Sequence, residues 1–150
     1  MGLGLGLAVL GLGACNEVGE NHAQANRAIC VDFKQAKAAP GLAPADGAGV
    51  VDECVRRWSY SLAASRDEAD VVADAVVAAC GVQLSRWNQQ TVNQHSGADD
   101  AVSITTGQPT TPLTERYAFT RNRALLYVVQ ARAGGCSPPP AANGAPEGVG

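Results

Sequence analysis

Apolar positions recur at helical spacing in three stretches of the chain. Val51, Cys54, Val55, Trp58 and Leu62 stand three or four residues apart, while Asp52, Glu53, Arg56 and Arg57 fall on other faces. This spacing predicts an amphipathic helix from about Val50 to Ala64. Ser65-Arg66-Asp67-Glu68 then fits a capping box, which opens a second helix. That helix is apolar nearly all round except for the stripe of Arg66, Asp70 and Asp74, as expected of an element buried between neighbours. Val77, Leu84 and Trp87 carry the period past Gly81, so it is predicted to run to about Gln89. In the third stretch, Thr111 is a candidate N-cap with Pro112 at the first helical position. Tyr117, Leu125, Leu126, Val128 and Val129 continue it to Ala133, and Gly134-Gly135 stops it.

Elsewhere the pattern is weaker. Asn26 to Lys37 has apolar content for about three helical turns, and the Pro/Gly/Ala-rich stretch from Ala38 to Gly49 reads as a loop. Thr91 to Thr111 is polar and aperiodic, a long exposed loop with a short extended piece at Val102 to Thr105. The tail from Ser137 to Gly150 is poor in apolar bulk and rich in Pro, Gly and Ala, so it is expected to be disordered. The predicted fold is all-α, a small bundle of three to four helices. Its domain spans residues 26–136, with a flexible linker at 15–25 and the tail at 137–150.

Residues 1–14, from Met1 to Ala14, form an uncharged apolar run too short to span a bilayer, which matches the core of a secretory signal. The run ends in Leu12-Gly13-Ala14-Cys15, which resembles the lipobox of bacterial lipoproteins. That resemblance implies that Cys15 becomes a lipid-bearing mature N-terminus, so that a lipid on this residue holds the chain to a membrane of the cell envelope or periplasm. A second cleavage site, Ala23-Gln24-Ala25 before Asn26, would instead release a soluble secreted protein.

Either route removes Cys15 from the fold and leaves Cys30, Cys54, Cys80 and Cys136, an even set suited to two disulfides in an oxidising compartment. If the first two strong helices form a hairpin turning at Ser65-Arg66, Cys54 and Cys80 reach similar heights at about 1.5 Å rise per residue. That pairs Cys54 with Cys80 and, by elimination, Cys30 with Cys136. The spacing contains no C-x-x-C pair, which argues against zinc and against a thioredoxin-like redox motif.

Composition narrows the function classes. The chain of 150 residues is 46% hydrophobic but only 5% aromatic, so its core is built from small side chains and gains from covalent staples. A net charge of -3, with lysine only at Lys34 and Lys37, provides no basic stripe for nucleic acid. Candidate chemistry is sparse. His22 lies beside the leader, and His95 stands in the long loop near Asp99 and Asp100, where a hydrolase would need the loop folded over a cleft. Asp70 and Asp74 could be paired carboxylates, but partnership with Arg116, Arg121, Arg123 or Arg132 of the third helix is the commoner role. Trp58 and Trp87 could wall an apolar ligand site, although core packing is the commoner use. The expectation is a non-enzymatic envelope protein without a cofactor, acting on an envelope partner. The alternative is a periplasmic carrier or sensor of a small apolar ligand.

Overall fold

The computed structural model describes residues 27–33, 47–94, 101–103 and 106–149. Their architecture is the all-α bundle anticipated: α1 (Gly47–Leu62), α2 (Ala69–Ala79), α3 (Gly81–Gln94) and α4 (Pro112–Gly134), with two disulfides. Two short antiparallel pairs accompany the helices, β1 (Ala101–Val102) with β2 (Pro109–Thr110), and β3 (Ala141–Ala142) with β4 (Ala145–Pro146).

α4 is the spine on which α1 and α2 pack. Its buried face is Thr120, Ala124, Tyr127, Val128, Ala131 and Gly134, mostly small residues that let α1 come close. There the hydroxyl of Ser59, fully buried, donates to the carbonyl of Ala124 at 3.3 Å. Val51, Val55 and Tyr60 of α1 and Val72, Ala73 and Val76 of α2 complete the core. Apart from Tyr60 these are small side chains, so each contributes little burial, and the sealed Cys54–Cys80 bridge joins them at the core.

The caps of α4 are those read from the sequence. Thr111 accepts from the Thr114 backbone N–H, Pro112 opens the helix, and Gly135 closes it in the left-handed region at φ 56°. The start of α2 differs from expectation. Ser65 makes no capping box; its hydroxyl accepts from the Asp67 backbone at 3.2 Å, and Glu68 occupies the N-cap position. The hydroxyl is engaged locally with the Asp67 carboxylate, and from α4 the Arg132 guanidinium donates to the carbonyls of Ala63, Ser65 and Asp67 at 2.9 to 3.0 Å and holds the connection along its side. The expected run to Gln89 is broken at Cys80, yet Cys80 still donates to Val76 and accepts from Leu84, so α2 and α3 are joined by a single non-helical residue.

Two other expectations are corrected. Residues 27–33 form only one turn, closed by the Cys30 N–H on the Arg27 carbonyl, because Cys30 is pinned to Cys136 and Phe33 is drawn onto Tyr60 in an edge contact at 5.1 Å. The tail is ordered through Val149. Asn143-Gly144, both at positive φ, turn a hairpin of β3 and β4. Pro146 is buried, the Glu147 carbonyl accepts from Arg57 at 2.8 Å, and the Val149 carbonyl accepts from Gln83 at 2.6 Å.

Candidate functional site

Both bridges pair as anticipated, Cys54 with Cys80 and Cys30 with Cys136. Their surroundings differ. Cys54 is 2% exposed and Cys80 is 0% exposed, inside the core. Cys30 and Cys136 are only partly buried and form part of the wall of a cleft of about 610 Å³. Val31 and Phe33 line it from one strand of chain, Pro138 and Pro140 from the other, and Arg27 and Asp32 add charge of both signs. The cleft exists because the Cys30–Cys136 bridge holds two irregular segments side by side, and neither can fill the space between them with a regular element. The floor is braced by Arg57 of α1, whose guanidinium lies 5.3 Å over the Phe33 ring while pairing with Glu53 at 2.6 Å.

A second polar cluster ties α1 to α4. Arg123 pairs with Asp52 at 2.6 Å and stacks over the Tyr127 ring at 4.8 Å, and the Tyr127 hydroxyl donates to the same carboxylate. Burial, with the nearby Asp52 charge, pushes the Tyr127 phenol up to about 12, and the hydrogen bond to Asp52 raises the Arg123 guanidinium above its ordinary value. The cluster is saturated with internal partners, which suits a structural tie.

Asp74 pairs with Arg121 of α4 at 2.6 Å, as its helix stripe implied, and Asp70 instead turns its carboxylate to the backbone of Val71. No acid/base pair is assembled from them. Trp58 packs against the core, while Trp87 meets Phe119 edge-on at 5.8 Å and carries Arg116 over its ring at 4.5 Å. The Arg116 guanidinium also donates to the Trp87 carbonyl at 2.7 Å, and its burial lowers its pKa. The cleft therefore lies at Phe33 and the disulfide. Its far wall, residues 135–140, lies at the boundary of the domain and of the segment expected to be disordered. The signal available for it was the Asn143-Gly144 hairpin turn that folds this part of the chain back.

Cys15, His22, His95, Asp99 and Asp100 lie outside the described residues. Among the described residues no group of three His, Cys, Asp or Glu side chains is placed to hold a metal, and no helix is long and apolar enough to cross a membrane.

The fold and its bridges define a small disulfide-stapled helical bundle, whose chemistry is that of an oxidising, exported environment. No protein-family model, no curated protein and no solved structure matches the chain.

Proposed function

We propose that this is an exported protein of the cell envelope, held to a membrane by a lipid on Cys15, which acts by binding an envelope partner and not by catalysis. The observation that carries the reading is the outer face of α4. Leu126 and Val129, one helical turn apart and opposite the buried stripe, are 51% and 50% exposed, and Val71 and Val82 of the neighbouring elements are 55% and 59% exposed. Leu126 and Val129, adjacent on the outside of a doubly stapled domain, favour a surface that a partner covers. The lipobox-like Leu12-Gly13-Ala14-Cys15 supports the anchor.

Mass spectrometry of the exported chain tests the anchor. A mature N-terminus at Cys15 bearing a diacylglyceryl group, lost in Cys15→Ala, is expected; a mature chain beginning at Asn26 would sink this half of the reading. Site-specific cross-linking in envelopes tests the surface: a discrete adduct formed from position 126 should vanish in Leu126→Glu/Val129→Glu, and an unchanged adduct speaks against it.

The cleft favours a second reading, a carrier of a small apolar ligand, because Val31, Phe33, Pro138 and Pro140 offer it an apolar lining. Saturable one-to-one binding of an anilinonaphthalene dye, abolished by Val31→Glu, is the outcome that reading requires.

A further inference from the structure

The two disulfides stand in opposite relations to solvent, and this has chemical consequences. Cys54–Cys80 lies among Val51, Val55, Val76 and Leu84 with 2% and 0% exposure of its cysteines, so no thiolate reaches its sulfurs while the bundle is closed. Cys30–Cys136 forms part of a wall of the 610 Å³ cleft, and Arg27 is among the residues that line it.

We infer that Cys30–Cys136 is a site of thiol–disulfide exchange that opens and closes in the folded protein, taking a small dithiol as its co-reactant, while Cys54–Cys80 stays sealed. The thiolate of the dithiol enters the cleft and attacks one sulfur of the bridge; a mixed disulfide forms and the other cysteine leaves as thiolate. The second thiol of the reagent, once deprotonated, then displaces the first cysteine. The bridge has gained two electrons and, on protonation, two protons, and the reagent has become its cyclic disulfide. Arg27, at the cleft, favours both the attacking and the departing anion, although Asp32 tempers its field.

Opening need not unfold the domain. The segment around Cys30 has ties of its own: Phe33 is 8% exposed and packs edge-on against Tyr60, Arg57 covers its ring, and Gln130 donates to the Ile29 carbonyl. On the other side, Cys136 is fixed by its N–H on the Ala131 carbonyl at 2.9 Å. Both thiols therefore stay near one another, and an excess of the cyclic disulfide recloses the bridge by the reverse exchange, its own sulfurs leaving as the reduced dithiol. The bridge acts as a reversible latch, and reduction loosens one wall of the cleft.

The test uses the exported, oxidised full chain without denaturant. Low-millimolar dithiothreitol is added at about pH 8, where its thiolate is substantially populated, samples are quenched over time with iodoacetamide, and tryptic peptides are read by mass spectrometry. Each cysteine falls on its own tryptic peptide, so the two bridges report separately. The expected result is alkylation at Cys30 and Cys136 faster by about 100-fold or more than at Cys54 and Cys80. That is the separation expected when one bond reacts by local opening and the other waits for global unfolding. Far-UV circular dichroism should stay unchanged, and replacing the reagent by an excess of its cyclic disulfide before quenching should restore the bridge. Simultaneous loss of both bridges, earlier loss of Cys54–Cys80, loss of helicity in step with alkylation, or no reaction short of unfolding would each overturn the inference.

Discussion

The hydroxyl of Tyr127 donates to the carboxylate of Asp52 across the contact of α1 with α4, 2.9 Å from one oxygen and 3.1 Å from the other. The phenol is thereby held protonated to about 12, first by burial and then by the neighbouring negative charge. An unfolded tyrosine ionises near 10. Since the folded-state value is the higher one, its stabilisation is complete below about pH 10 and is lost as pH rises through about 12.

Tyr127→Phe is therefore expected to cost about 1 to 2 kcal/mol at neutral pH, because Asp52 loses a donor at a half-buried site. The variant should also lose the part of the alkaline decline in stability that falls between pH 10 and 12. Urea denaturation across that range, with phenolate absorbance followed in parallel, checks both; an alkaline decline identical in the two proteins would refute the assignment.

Arg132 holds the α1–α2 connection through three backbone carbonyls. Its replacement by Ala is predicted to lower stability by about 1 to 2 kcal/mol, the value reduced by its exposure. Lys should recover less than half, since an ammonium lacks the planar fork that reaches several acceptors at once. Equal stabilities for Arg132→Lys and the parent would show that charge alone matters there.

Gly47 and Gly49 lie two residues apart in α1 and should respond oppositely to Ala. A Cβ at Gly47 would collide with the Trp87 ring, and that ring is held by Phe119 and Arg116; about 1 to 3 kcal/mol of overpacking is expected. A Cβ at Gly49 meets nothing within 4 Å, so Ala there should add about 0.5 to 1 kcal/mol. Thermal unfolding of the two variants should bracket the parent, and a stabilising Gly47→Ala would contradict the packing.

Cys54→Ala/Cys80→Ala is predicted to cost about 3 to 4 kcal/mol from loop closure over its 26-residue separation, with about 1 to 2 kcal/mol more for buried sulfur packing. Denaturant midpoints measure this directly. A loss below about 1 kcal/mol would mean that the unfolded chain is already compact near these residues.

Much of this fold was legible because local chemistry and global geometry agree in α1 and α4. The spacing of Val51, Cys54, Val55 and Trp58 fixes the inner face of α1, and the rise per residue sets Cys54 level with Cys80. Thr111, Pro112 and Gly135 bound α4 without outside help. What escaped depended on residues distant in sequence. Ser65 has the residue type of a cap, but its hydroxyl turns to Asp67, in a connection that Arg132, 67 residues away, holds by its carbonyl groups. Of the four arginines that could serve Asp70 and Asp74, Arg121 takes Asp74 while Arg123 meets Asp52, a choice that only the packing of α1 makes. The Pro, Gly and Ala content of the tail argues for disorder, although Asn143-Gly144 is a strong local hairpin signal. The candidate cleft was least legible of all, since its two walls come from segments 106 residues apart at their cysteines.

The Cys30–Cys136 bridge also decides how the molecule bears force. Tension applied to the chain ahead of Cys30 and to the chain beyond Cys136 passes from sulfur to sulfur. The helices between them form a closed covalent loop that carries none of the load. Among the described residues, the stretched parts are the short run ahead of Cys30, tied by Gln130 to the Ile29 carbonyl, and the hairpin after Cys136, with its few ties to Arg57 and Gln83. With the latch shut, a pull from both ends peels that hairpin and leaves the bundle intact; with it open, the same pull is transmitted through α1 and α4.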